Sequence, residues 1–180
     1  MPANEILIID DYPQLVDFLT ERLSAEGYTV RTAPTGAEGM SALAGFTGVI
    51  LLDVRLPDGS GLDLFRKIKG VSPDLPVIFI TAHATVDMAV EATRQGAFDF
   101  IAKGSDLLKR LNVAVKNAFD RLAMTEQLRR LTTQLSEKVQ FDQFLTVSPR
   151  MHQILKTLEA VVNSGVSVLV DGEKIGRAHV

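Results

Sequence analysis

The sequence contains no cysteine, which excludes disulfides, thiolate nucleophiles and thiolate metal ligands and agrees with a reducing compartment. It has no long apolar run. None approaches the ~20 residues of a membrane span, and the opening MPANEILIID has no basic region leading into an apolar one, as a secretory signal requires. A surplus of positive charge is missing too. Lys and Arg total 19 against 22 Asp and Glu, a net charge of -3, so there is no broad electrostatic footprint for nucleic acid, and direct DNA contact by this chain is not expected. These absences lead to the expectation of a soluble, cytoplasmic chain. With 180 residues, 46% of them hydrophobic, it can bury a full core.

What is present is organised around Val49 to Gly61, VILLDVRLPDGSG. Val49 to Leu52 is a wholly apolar run, as suits a central parallel strand buried on both faces, and it ends in a charge, Asp53. Pro57, Asp58, Gly59, Ser60 and Gly61 are turn residues. Leu62, Leu64, Phe65 and Ile68 then recur at helical spacing. The same design occurs at Ile6 to Ile9, an apolar run ending in Asp10 and Asp11. Pro13 there fits the first turn of a helix carrying Leu15, Phe18, Leu19 and Leu23, with Asp11 available as its cap.

The remaining elements follow the same alternation. Tyr28 to Ala33 reads as a strand and Thr35 to Leu43 as a short helix. Val77 to Ile80 is a buried-type strand ending in Thr81, Thr85 to Gln95 is a helix closed by Gly96, and Phe98 to Ile101 is a last strand followed by Lys103. Five strands alternating with helices predict an α/β fold: a doubly wound, five-stranded parallel sheet covered on both faces by right-handed crossovers. In such sheets ligands sit at the carboxyl ends of the strands, where the strand order reverses. That edge would gather Asp10, Asp11, Asp53, Thr81 and Lys103.

Taken singly, these residues have ordinary explanations: a cap, a strand-end hydroxyl, a solvated charge. Taken together they suggest chemistry. Three converging carboxylates repel unless a cation compensates, and hard oxygen ligands suit Mg²⁺. A carboxylate beside such a metal can act as a nucleophile towards phosphorus, with Asp53 the candidate, while Lys103 and Thr81 would share the charge of the phosphoryl oxygens.

IIDD at 8 to 11, LLDVRLPDGSG at 51 to 61, TAHA at 81 to 84 and GAFDFIAK at 96 to 103 make the first ~120 residues resemble a response-regulator receiver domain, the phospho-accepting half of a two-component pair. The resemblance implies a flavodoxin-like sheet of order 2-1-3-4-5. Asp53 would be phosphorylated by a sensor histidine kinase, and Mg²⁺ held by Asp10, Asp11, Asp53 and the backbone carbonyl of Arg55. Thr81 and Lys103 would contact the phosphoryl group, and Phe100 would be the switch aromatic, an assignment that stands beside plain core packing. A receiver is a signalling domain, with no enzymatic activity beyond its own phosphorylation and dephosphorylation. Two other classes are weighed against it. A phosphatase of the haloacid-dehalogenase type also uses an aspartate nucleophile and Mg²⁺, but it places a second Asp two residues after the first, whereas Asp10 and Asp11 are adjacent. A receiver-like interaction module would keep the fold without the phosphate switch.

From Ser105 to about Phe141 no Gly or Pro interrupts a helical pattern in which Leu108, Leu111, Val115, Ala118 and Leu122, then Leu128, Leu131, Leu135 and Val139, form a stripe. Its far half has no core of its own, so a parallel coiled-coil homodimer through 105–140 is expected, weighed against a solvated single helix or a disordered linker because the heptad register slips between Leu122 and Leu128. Beyond it, Met151 to Val162 reads as an amphipathic helix and Val166 to Val170 as a strand running into Asp171-Gly172-Glu173. This resembles the opening of the AAA+ ATPase domain of sigma-54-dependent transcriptional activators, which implies a full-length protein that binds DNA and sigma-54 RNA polymerase. The nucleotide-cradling loop is not completed. The expected division is a receiver domain at 1–120, a helical linker at 121–141 and the start of the AAA+ domain at 142–173. Residues 174–180, KIGRAHV, are expected to be non-native, since the pattern breaks after Glu173 and the heptapeptide matches one reading frame of a sequencing adapter.

One departure from the receiver pattern has a kinetic consequence. The family usually follows its lysine with proline, whereas here Gly104 follows Lys103, and glycine permits the turn without pinning it. Gly104→Pro is therefore expected to alter the phosphorylation or dephosphorylation rate in stopped-flow comparison with the parent. Identical rates would remove the idea.

Overall fold

The apolar runs become the strands of one parallel sheet in the computed structural model, which describes residues 4–82, 84–142 (backbone alone beyond 133), 148–151, 153, 154 and 157. In chain order the elements are β1 (Glu5–Ile9), α1 (Pro13–Ala25), β2 (Thr29–Ala33), α2 (Gly36–Ser41), β3 (Val49–Leu52), β4 (Arg55–Leu56), β5 (Gly59–Ser60), α3 (Gly61–Val71), β6 (Val77–Thr81), α4 (Val86–Arg94), β7 (Asp99–Ala102) and α5 (Leu107–Asp142). The sheet runs β2-β1-β3-β6-β7, with every neighbouring pair parallel. This is the anticipated order, with β4 and β5 set aside as a separate antiparallel ribbon pairing Arg55 with Ser60 and Leu56 with Gly59. The ribbon occupies what reads in the sequence as a plain loop.

The central strands are apolar over Ile6–Ile9, Val49–Leu52 and Val77–Ile80 because each face has its own core. Leu7, Ile9, Ile50, Leu52, Val77 and Phe79 meet Leu64, Phe65 and Ile68 of α3 and Ala92 of α4. Ile6, Ile8, Val49, Leu51, Ile78 and Ile80 meet Leu19 and Leu23 of α1 and Leu111, Ala114, Val115 and Ala118 of α5. Successive strand residues thus serve opposite faces. The edge strand β2 buries only Ala33, which accounts for its polar pattern.

The start of α1 departs from expectation. Asp11 does not cap it; Tyr12 is the N-cap and makes no side-chain cap bond. The Tyr12 amide donates instead to Asp10 Oδ1 at 2.9 Å. Pro13 opens the helix, where its missing N–H would have had no intrahelical partner, and Asp11 is left exposed.

A more distant bond fixes the ribbon. The Asp58 carboxylate, in the turn between β4 and β5, accepts from the Gly36 and Ala37 amides at the start of α2, each at 2.9 Å. These backbone donors hold its pKa below the usual carboxylate range. Its contribution to stability is present above that range and is lost as the pH falls through the lowered value.

Cα packing divides the chain into Met1–Leu128 and Arg129–Val180. Within the first unit α5 packs its initial turns on the sheet, and Phe119 stacks on Tyr28 with ring centroids 5.2 Å apart. Further along, Met124 and Leu128 are 66% and 60% exposed. In the second unit the Met151 amide donates to the Ser148 carbonyl at 3.1 Å, starting a short helical piece. Most of the expected helix from Met151 to Val162, the strand from Val166 to Val170, Asp171-Gly172-Glu173, residues 174–180 and the side chains of Leu135 and Val139 lie outside the described residues.

The two stretches of α5 should respond differently to truncation. Leu111, with no exposed surface, should lose about 3 kcal/mol on substitution by Ala. Leu128→Ala should stay within about 0.5 kcal/mol. Urea denaturation followed by circular dichroism reads both.

Candidate functional site

The strand ends deliver the site. The Asp53 amide donates to the Ile9 carbonyl at 2.9 Å and the Asp10 amide to the Ala33 carbonyl at 3.2 Å, so the ladder continues one bond past each strand and holds both acidic residues at the carboxyl edge. At the end of β6 and β7 the Lys103 amide donates to the Thr81 carbonyl at 2.8 Å. β7 lies two strands from β3, a span of roughly 10 Å at ordinary strand spacing. A lysine and an aspartate together can bridge it.

They do so here. Lys103 Nζ donates to Asp53 Oδ2 at 2.9 Å and to Asp10 Oδ2 at 2.7 Å. Asp10, Asp53 and Thr81 are buried, whereas Asp11 is exposed. Ligand oxygens of Asp10, Asp11 and Asp53 all lie within 4.8 Å of one another. Burial works against the Lys103 ammonium, but the hydrogen bonds and charges of Asp10 and Asp53 outweigh it, and its pKa is raised. The contribution of this pairing to stability is complete below the ordinary lysine range and is lost as the pH rises through the raised value.

A cleft of about 320 Å³ opens beside the carboxylates, lined by Asp11, Asp53, Arg55, Leu56, Pro57, Thr81 and Ala82. The backbone around Asp53 is tightly built. The Val54 amide donates to Asp53 Oδ1 at 2.7 Å, and the Gly61 amide donates to the Val54 carbonyl at 2.8 Å. A side chain at Gly61 would place its Cβ 1.9 Å from the Asp53 carbonyl oxygen, so only glycine lets α3 begin this close to the acid. The donor set suits a hard divalent cation: all oxygen, with three carboxylates against one ammonium and open space for retained waters.

Residues 6–116 match the family model for the response regulator receiver domain. The chain belongs to that family. It is 36% identical over 175 residues to the C4-dicarboxylate transport transcriptional regulatory protein DctD of Rhizobium meliloti, covering 95% of this chain and 37% of that protein. With the regulatory protein AtoC of Escherichia coli it shares 34% identity over 171 residues, 94% of this chain and 37% of that one. Among solved structures, the beryllofluoride-activated NtrC4 receiver domain dimer is 38% identical with a TM-score of 0.62, covering 66% of this chain and 98% of that one. NtrX from Brucella abortus is 31% identical with a TM-score of 0.59, covering 87% of this chain and 34% of that one. The chain therefore spans little more than a third of the curated relatives it matches.

This is a receiver domain of a two-component response regulator, homologous to phospho-accepting regulators of transcription. Receiver domains bind Mg²⁺ at an acidic Asp cluster, and the receiver here has such a cluster. The structure brings together Asp10, Asp11, Asp53, Thr81 and Lys103 at one edge, with Arg55 lining the cleft. Phe100 stands apart from them. It is buried on β7 with its ring 5.8 Å from that of Phe79, which in turn meets Phe65 edge-on. In the sequence Asp58 looks like a turn residue alone, because the amides it holds lie 22 and 21 positions away. No local pattern marks such a contact. Among the described residues no helix is long and apolar enough to cross a membrane.

Removing the ammonium should expose the carboxylate repulsion. Lys103→Met is expected to lower the unfolding free energy at neutral pH by about 2 kcal/mol, less than a fully enclosed pair would lose because the cleft is open to water. Millimolar Mg²⁺ should recover part of the loss, as read by denaturant melts with and without the metal.

Proposed function

We propose that Asp53 is the phosphoacceptor of this receiver, taking a phosphoryl group from a sensor histidine kinase. The observation that carries the reading is the Lys103 ammonium bridging Asp53 and Asp10 at 2.9 and 2.7 Å, beside an open cleft. An Asp53 carboxylate oxygen attacks phosphorus, and the bond from phosphorus to the kinase's imidazole nitrogen breaks with its electron pair staying on nitrogen. An acyl phosphate on Asp53 results. Asp10, Asp11, Asp53 and the Arg55 backbone carbonyl are the residues that would hold Mg²⁺, which supplies neutralisation of the phosphoryl oxygens when bound. Lys103 pairs with the incoming charge, and the Thr81 hydroxyl donates to a phosphoryl oxygen.

The output side of the proposal runs through β7 and α5. Phe100 already lies inward, so in the role of switch aromatic it acts by packing against Phe79. Arg110 of α5 donates to the Phe100 carbonyl at 3.3 Å and ties this strand to the helix. The exposed Met124 and Leu128 of α5 support a homodimer through the 105–140 helix. On this reading the receiver occupies 1–120, a helical linker 121–141 and the start of an AAA+ domain 142–173. The whole protein is a cytoplasmic sigma-54-dependent activator that binds DNA and RNA polymerase, a proposal supported by its likeness to DctD and AtoC.

Incubation with a small acyl phosphate and Mg²⁺, followed by intact-mass measurement, should add one phosphoryl group to the parent and none to Asp53→Asn. Lys103→Ala and Thr81→Ala should slow the gain by about 10²-fold or more, the scale of losing one charge-stabilising donor. Rapid turnover without retained phosphate would indicate a phosphatase, and no adduct would indicate an interaction module. Sedimentation across a range of concentrations checks the dimer: a strict monomer would overturn it.

A further inference from the structure

The two acid-bearing loops are joined twice. Through the sheet, the register places Ile9 of β1 against Leu52 of β3, so Asp10 and Asp53 leave adjacent strands side by side. The second connection runs outside the sheet through α2. Gly39 of α2 sits so close to Ile9 that a Cβ there would lie 2.6 Å from the Ile9 Cδ1 atom. This seats the helix on the residue before Asp10. The other attachment of α2 is Asp58, whose two carboxylate oxygens each take one amide of its first turn. Gly36 fits closely here as well, since a Cβ on it would lie 3.3 Å from both Asp58 oxygens. Thr35 takes the next amide, that of Glu38, at 3.2 Å. The helix start is thus divided between a local cap, Thr35, and a distant one, Asp58.

The distant cap bears on the metal site because of what lies between Asp58 and Asp53. Val54, Arg55, Leu56 and Pro57 fill that interval, and the last three line the cleft. The ribbon that carries them has only two paired residues on each strand, too few to hold its own position. Gly61 and Val54 fasten its base, and Asp58 fastens its tip.

We propose that Asp58 is a positioning residue for the cation site: by holding the β4–β5 ribbon to α2, it fixes the Arg55 carbonyl and the Leu56-Pro57 wall relative to Asp10 and Asp53. The inference rests on the reading of Asp10, Asp11, Asp53 and the Arg55 carbonyl as the Mg²⁺ ligands. Partners that orient metal ligands from behind typically change affinity by about 10–100-fold when removed. A ribbon released at its tip still retains the three carboxylates, so the lower end applies.

The test compares Asp58→Ala and Asp58→Asn with Thr35→Ala in the full 180-residue chain. Thr35→Ala removes the other cap of α2 and leaves the ribbon fastened. Titration calorimetry with MgCl₂ gives the dissociation constant, urea denaturation gives stability, and amide hydrogen exchange reports the ribbon and α2. Asp58→Ala is expected to weaken Mg²⁺ binding about tenfold, with faster exchange at Gly36 and Ala37. Asp58→Asn keeps one acceptor oxygen, so it should fall between Asp58→Ala and the parent and serves if the alanine variant does not fold. Thr35→Ala should lose comparable stability while its Mg²⁺ dissociation constant stays within about twofold of the parent's. Equal Mg²⁺ affinity in parent and Asp58 variants would overturn the positioning role and leave the ligand assignment standing. A parent that binds no Mg²⁺ would overturn both.

Discussion

The arrangement depends on how negative charge is contained at one edge of the sheet. Asp10 and Asp53 are buried together, and carboxylates gathered this closely repel one another unless a cation compensates. Lys103 supplies it from across the sheet, and its reach dictates much else. β7 must end where it does, Thr81 must sit between as the last residue of β6, and the loop after β7 must leave the lysine free to span two strands. The compensation is partial, with three carboxylates facing one ammonium. That imbalance is what a divalent cation and a phosphoryl group can enter: one adds the missing positive charge, and the other offers new oxygens to both cations.

Close approach at Asp53 is the second constraint. Gly61 opens α3 directly against the Asp53 carbonyl, and the amide of Val54 turns back onto the Asp53 carboxylate. The acid is therefore braced on its backbone side and open only toward the cleft. On the proposed role of Asp53 as phosphoacceptor, a carboxylate held this way would give up little conformational freedom on reaching phosphorus, which is how positioning contributes to phosphoryl transfer.

Much of this was legible in the residues because burial on both faces leaves little ambiguity. Ile6 to Ile9, Val49 to Leu52 and Val77 to Ile80 are apolar at consecutive positions, a pattern few other settings demand, and once they are strands the residues after them share an edge. β2 was readable from alternation, and its ends were softer because only Ala33 is buried. The sequence misled where a residue's partner was chosen by tertiary contact. Asp11 stands where a cap would stand, yet the chain turns on Asp10, whose carboxylate takes the Tyr12 amide and the Lys103 ammonium together. Asp58 reads as a turn former and serves as a cap for a helix more than twenty residues earlier. The β4–β5 ribbon is too short to leave any periodicity.

The alternation of strand residues between two cores has a consequence for β7. Phe100 belongs to the core under α3 and α4, and Ile101, the next residue, belongs to the core under α1 and α5. One rigid segment is therefore keyed into both halves of the interior at neighbouring positions. Any pull on Lys103 that shifts this strand must repack an aromatic ring on one side and an aliphatic side chain on the other in the same motion. The sheet separates the two cores and β7 contributes to both, so a shift of this strand at the acidic edge would disturb packing on either side of that wall.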